Sequence, residues 1–196
     1  MRSLRLQSLT GPDIAQALDA LADVRIAVFR DWPYLYEGTR DYETKYLDVY
    51  LRSPRSLAVR VWDGAVCVGA TTTLPLADAG AEAQAPFLAA GHALDEIDYF
   101  GESVLLPPYR GRGLGVKFFE QREAHARANG LRVCAFCSVV RPEQHPAKPA
   151  DYVPNDAFWT HRGYRPAPEL VTQFAWPDIG ETQSTDKPMH FWLKRL

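Results

Sequence analysis

The sequence predicts a single α/β domain. Three observations carry this: strand and helix patterns succeed one another along the chain, one hairpin is clearly marked, and a glycine-rich turn stands between an apolar run and a helical segment. At 196 residues the chain is long enough for one domain with a sizeable core and short for two. Its formal net charge of −2 gives no strong field for nucleic acid or an anionic membrane, so neither is expected as a partner.

Leu4 to Leu9 alternates apolar and polar residues as a strand does. Gly11-Pro12-Asp13 then opens a helical pattern through Ile14, Ala17, Leu18, Leu21 and Val24 or Arg25. Asp41 to Leu51 reads as a second helix, stopped at Ser53-Pro54. Ser56 to Trp62 and Val66 to Leu74 are strands, and Asp63-Gly64 between them is the signature of a tight hairpin. The alanine-rich stretch Pro75 to Ala93 is expected to hold a short helix around Pro86 to Ala90. Ile97 to Leu106 follows as a strand, Gly113 to Asn129 as a helix stopped by Gly130, and Leu131 to Val140 as another strand. After Arg141 to Pro154, an irregular loop with four prolines, Asp156 to Arg162 forms a short helix. Phe174 to Trp176 and His190 to Leu193 supply the last strands.

The amino terminus, Met1 to Leu6, lacks the apolar stretch of a signal peptide, and no run approaches the ~20 apolar residues of a membrane span, so a cytoplasmic protein is expected. Cys134 and Cys137 stand as C-x-x-C, but within a strand pattern their thiols point to opposite faces. With Cys67 they are expected to be reduced, structural residues. His125, His145 and His161 show no metal-binding spacing, and no metal is expected.

Tyr109-Arg110-Gly111-Arg112-Gly113-Leu114-Gly115 is the segment most suited to a ligand. Its glycines allow close backbone approach, and the helix that follows aims N–H groups and positive dipole potential at the same place, an arrangement for a phosphate or pyrophosphate. The glycines do not follow the dinucleotide G-x-G-x-x-G spacing, and no Gly-Lys-Ser/Thr ends the turn as a P-loop requires. Arg110-x-x-Gly113-x-Gly115 instead resembles the R/Q-x-x-G-x-G/A signature of the GNAT superfamily of acyl-coenzyme A dependent N-acyltransferases. Val104 to Tyr109 looks like that family's fourth strand and turn, and Asn155 to Tyr164 is similar to its N-x-A-x-x-F/Y-Y-x-x-x-G-F/Y segment. The resemblance is specific over Asp98 to Pro166.

The resemblance implies a mixed, mostly antiparallel sheet flanked by helices and splayed between its fourth and fifth strands. It also implies transfer of an acetyl group from acetyl-coenzyme A to a small-molecule or peptide amine. Arg110, Gly111, Arg112, Gly113, Leu114 and Gly115 would hold the pyrophosphate. Leu105 and Leu106 would pair with the pantetheine arm, and the Leu105 N–H would hold the thioester carbonyl oxygen. Asn155 would bond the arm or cap its helix. Glu102 is the first choice of general base and Asp98 the second, with Glu96 on the same face if no bulge intervenes. Trp159 stands where the family commonly has a tyrosine acid, so Tyr152 is the substitute. Phe29, Trp32, Tyr34, Tyr36, Tyr42, Tyr46 and Tyr50 crowd the acceptor side, either as core packing or as an aromatic pocket, with Asp31, Glu37, Asp41 or Glu43 attracting the amine. Two rival readings stand: a non-catalytic acyl-coenzyme A binding domain, and an interaction domain that has lost the cofactor. The oligomeric state stays open, a homodimer included.

Overall fold

The computed structural model describes residues 3–196; the amino-terminal reading at Met1 and Arg2 lies outside the described residues. Strand β1 (Arg5–Thr10) lies antiparallel to β2 (Leu57–Asp63), which forms the Asp63-Gly64 hairpin with β3 (Val66–Pro75). Between β1 and β2 run α1 (Leu18–Phe29) and α2 (Arg40–Arg52). The helical pattern from Ile14 divides: Gly11–Ala17 is a 3-10 helix, and the α-helix starts only at Leu18. Pro12 brings no N–H to this first turn, and no side chain caps it. Thr39 does cap α2, its hydroxyl accepting from the Tyr42 N–H at 3.3 Å.

Helix α3 (Ala81–Ala89) begins earlier than expected and carries Pro86 within it, because the alanines before the proline are strong helix formers. Strand β4 (Ile97–Leu105) then leads through the glycine turn to α4 (Leu114–Ala128), which crosses over to β5 (Val133–Val139). Helix α5 (Asp156–His161) precedes β6 (Arg165–Trp176) and β7 (Thr185–Arg195). These last strands far exceed the short segments expected. Pro166 and Pro168 hide β6 from a sequence pattern, yet an edge strand accepts them, with a register shift between Ala167 and Val171.

The sheet order is β1-β2-β3-β4-β5-β7-β6, and β4–β5 is its parallel pair among antiparallel neighbours. That pair is short: Ile97, Asp98 and Tyr99 meet Val133, Cys134 and Ala135, after which the strands part. Where they part, β4 also bulges, since Thr71 faces Ser103 and Thr73 faces Phe100, leaving Gly101 and Glu102 opposite Thr72. A Cβ on Gly101 would lie 1.7 Å from the Tyr50 hydroxyl oxygen, so the bulge requires glycine there.

One face of the sheet is covered by α1 and α2, whose Leu21, Leu47 and Tyr50 join Leu74 and Val104 in the main core. Under α4 lie Phe100, Phe119, Phe136 and Tyr164. Cys134 belongs to this second cluster and Cys137 packs against the first, so the two thiols do face opposite ways, and all three cysteines are free. Among the described residues no helix is long and apolar enough to cross a membrane.

Candidate active site

Gly111 and Gly113 take φ of 72° and 75°, a left-handed conformation that glycine adopts without strain. Gly115 differs: it is helical, and a Cβ there would make ordinary contact with Phe158 at 3.5 Å. Gly113 occupies the N-cap of α4 without a side-chain cap, and no acidic residue stands in the first turn. The first intrahelical bond runs from the Lys117 N–H to the Gly113 carbonyl, so the preceding N–H groups have no partner within the helix. An anion placed there meets donors and the positive end of the dipole together.

This turn borders a cleft of about 1080 Å³ that reaches into the gap between β4 and β5, with Arg110 and Gly115 among its walls. The Leu106 N–H donates to the Val68 carbonyl at 3.0 Å, and the Leu106 carbonyl accepts from the Tyr109 N–H at 2.9 Å. The Leu106 N–H is therefore committed to β3, which leaves only its carbonyl, already accepting one bond, for the expected pairing with the pantetheine arm. Strand alternation turns the Leu105 groups to the opposite edge, toward the parting. The Leu105 carbonyl there accepts from Arg110 Nε at 3.0 Å, and Arg110 Nη2 stands 3.7 Å from Asp31. Arg112 lies over the Tyr109 ring at 5.2 Å on the exposed rim.

On the α1–α2 side, a smaller cavity of about 60 Å³ is walled by rings from four separate elements, among them Phe29, Tyr34, Tyr42, Tyr46 and Trp176. The aromatics thus divide: Tyr50 is core, Trp32 faces the large cleft beside Tyr152, and the other five surround this cavity. Phe29, Tyr34, Gly101 and Cys137 line both spaces, so the small cavity meets the large one at the parted strands. At the bottom, Arg25 donates from Nε to Glu43 at 2.5 Å and from Nη1 to Glu102. Glu43 also accepts from the Tyr36 hydroxyl at 2.9 Å, and Glu102 from Thr72 Oγ1 at 2.7 Å. Burial pushes the Glu102 carboxyl above its usual range, against the pull of Arg25 and Thr72.

The bulge separates the carboxylates that alternation placed together. Glu102 is turned toward α1, while Asp98 lies buried on the α4 face with Oδ2 accepting from Thr73 Oγ1 at 2.7 Å. Asp98 lines neither cavity, and its Oδ1 has no hydrogen-bond partner among the described residues. Desolvation raises its carboxyl to about 7. This placement removes Asp98 as a base acting on a ligand in either space. Glu96 falls in the exposed turn before β4, paired with Arg132 at 3.5 Å.

Tyr152 stands on the wall of the large cleft, edge-on to Trp32 with ring centroids 6.0 Å apart, and burial raises its hydroxyl pKa. Asn155 also lines the cleft; it makes no side-chain cap bond, so the capping role is not taken up. Trp159 packs between Phe136 and Trp192 at 5.0 and 5.1 Å. Of the carboxylates expected to draw an amine, Glu37 pairs with Arg30 and Asp31 with Arg110, Asp41 is exposed, and only Glu43 is buried beside the cavity. His125 Nε2 donates to the Arg55 carbonyl at 2.8 Å, and among the described residues no cluster of His, Cys, Asp and Glu is arranged to hold a metal ion.

Sequence reasoning named Arg25 only as an alternative position in a helical pattern, with no role at the site, and missed Arg122. Arg122 is buried against Phe100 and Phe119, its guanidinium carbon 4.0 and 4.8 Å from the ring centres, and it lines the cleft. The signal was available: each arginine stands four residues after a buried apolar residue of its helix, Leu21 and Phe118, on the inward phase.

No protein-family model and no curated protein sequence matches the chain. Solved structures do. An acetyltransferase of the GNAT family from Streptococcus pneumoniae aligns at a TM-score of 0.58 with 14% identity, over 99% of this chain and 100% of that one. An acetyltransferase from Streptococcus agalactiae aligns at 0.61 with 15% identity over the whole of both chains. The PaiA N-acetyltransferase from Thermoplasma acidophilum, solved in complex with coenzyme A, aligns at 0.56 with 12% identity over 99% of each. At such identities the likeness is one of fold, and the chain has the GNAT fold.

Proposed function

We propose that this chain, having the GNAT fold, transfers an acetyl group from acetyl-coenzyme A to a primary amine by direct attack in a ternary complex. The observation that carries the reading is the convergence of an uncapped α4 N-terminus and an unpaired β4 edge on one cleft. A pyrophosphate suits the first and a peptide-like arm the second. When bound, acetyl-coenzyme A supplies an activated acyl group as a thioester. The N–H groups that open α4, with Arg110 and Arg112 beside them, hold its phosphates. The Leu105 N–H supports the thioester carbonyl oxygen as negative charge builds there.

Glu102 is the proposed base. A carboxylate has about four acceptor positions, and the bonds from Arg25 and Thr72 leave capacity for a proton taken directly or across one water. Its raised pKa brings it nearer to that of the ammonium it must deprotonate. Tyr152, on the wall of the cleft and protonated at neutral pH, is the proposed acid for the leaving thiolate. The engagement of Glu102 by Arg25 also favours a second reading, an acyl-coenzyme A binding domain without turnover.

Calorimetric titration with acetyl-coenzyme A, with desulfo-coenzyme A and NAD as controls, tests the donor site, and a free-thiol assay over an amine panel tests transfer. The expected outcome is binding of the acyl donor, none of NAD, and thiol release with at least one amine. Glu102→Gln is expected to lower kcat by about 10²-fold or more, with little change in donor affinity and loss of the acid limb of the pH profile. Donor binding with no release for any amine supports the non-catalytic reading instead.

A further inference from the structure

The ring-lined cavity beside Arg25 limits what an acceptor can be. Its volume of about 60 Å³ is that of roughly two waters, at about 30 Å³ each in the liquid. Phe29, Tyr34, Gly101 and Cys137 form the mouth it shares with the large cleft, so a group seated inside holds its reactive end at the parted strands.

Charged side chains around the cavity are already matched to one another. Arg25 is shared by Glu43 and Glu102, Arg141 pairs with Asp178 at 2.7 Å, and Lys187 lies 3.4 Å from both Asp178 and Glu181, so that two cations there meet two carboxylates. A substrate carboxylate would find no uncommitted cation among these, and a second ammonium no uncommitted anion. The cluster of Glu43, Arg25 and Glu102 nevertheless carries one carboxylate more than it has guanidinium. With tyrosine faces around it, this surplus favours entry of a single cation.

We infer that the acceptor is a primary amine on a small apolar body, a short or branched alkyl chain without a second charge, seated among Tyr34, Tyr42, Tyr46 and Phe174. This rests on the transfer reading above. Larger or polycationic amines are excluded by the same features: a phenyl group overfills the closed end, and the far ammonium of a polyamine is desolvated without a partner.

Transfer from saturating acetyl-coenzyme A to propylamine, phenethylamine, spermidine and a lysine-containing peptide tests this. In the native protein kcat/KM for propylamine is expected to exceed each of the others by about tenfold or more. Tyr42→Ala, which removes one wall of the cavity, is expected to shift the ratio toward phenethylamine by about tenfold. Phe174→Leu, a milder enlargement, is expected to shift it the same way and serves if the first variant does not fold. Preference for spermidine or the peptide, or an unchanged ratio in a folded variant, overturns the inference while leaving acetyl transfer standing. Absence of thiol release with every amine overturns both.

Discussion

Asp98 and Glu102 are four residues apart on one strand, yet each answers to a different environment. Glu102 is held by Arg25 and Thr72 on the α1 side, whereas Asp98 has one hydroxyl donor and a bare second oxygen beneath α4. Burial raises the Asp98 carboxyl from 3.8 to about 7. Between those two values the folded protein keeps a proton that the unfolded chain has released. Its contribution is therefore fully present below about pH 4 and lost as pH rises through 7. A shift of that size corresponds to roughly 4 kcal/mol, at about 1.36 kcal/mol per pKa unit. Asp98→Asn, which cannot ionise, is expected to gain stability relative to the native protein between pH 5 and pH 8, measured by urea unfolding. An identical pH dependence in the two proteins would refute the assignment. Because Asp98 lines neither cavity, donor affinity is expected to be unchanged.

Helix α4 shows a conflict between stability and binding at the level of an element. An acidic residue at its third position would complement the dipole and cap free N–H groups, and the sequence places Val116 there. Val116→Glu is expected to leave stability unchanged or raise it by about 0.3–1 kcal/mol. The same carboxylate would compete with a pyrophosphate for those donors, so affinity for acetyl-coenzyme A is expected to fall about tenfold or more, about 1.4 kcal/mol. Calorimetric titration together with thermal unfolding checks both halves. Retained affinity would mean that phosphates do not sit at this helix end. Strand β4 acts in the same way: its Gly101–Glu102 bulge interrupts a regular ladder and aims one carboxylate into the cleft.

At the scale of the whole molecule, three distant segments are tied together over the two cavities. Arg141, at the start of the irregular loop, donates to the Pro33 carbonyl at 2.8 Å, to the Tyr34 carbonyl at 2.6 Å and to Asp178 at 2.7 and 2.8 Å. It thereby joins the loop bearing Tyr152, the segment after α1 and the turn between β6 and β7. Arg141→Ala strands the Pro33 carbonyl, while the Tyr34 carbonyl keeps its bond from Trp176 Nε1 and Lys187 still neutralises Asp178, and is expected to cost about 1–3 kcal/mol. Hydrogen exchange is expected to quicken in residues 31–36 and 141–155 while the strands keep their protection. Unchanged exchange in both segments would show that other contacts hold them.

Local chemistry made the α/β class, the Asp63-Gly64 hairpin, the α4 start and the Arg110–Gly115 turn legible, because glycine, proline and helix periodicity act within a few residues. The sequence by itself determined these, and with them the site suited to a phosphate. Only the tertiary structure decided that Leu106 is committed to Val68, that a bulge parts Asp98 from Glu102, and that Arg25 gathers Glu43 and Glu102 from other elements. Each depends on pairing across the sheet or on charges brought together from far along the chain. One extra residue in a strand reverses which face a carboxylate meets, and local pattern does not record which residues will stand opposite one another.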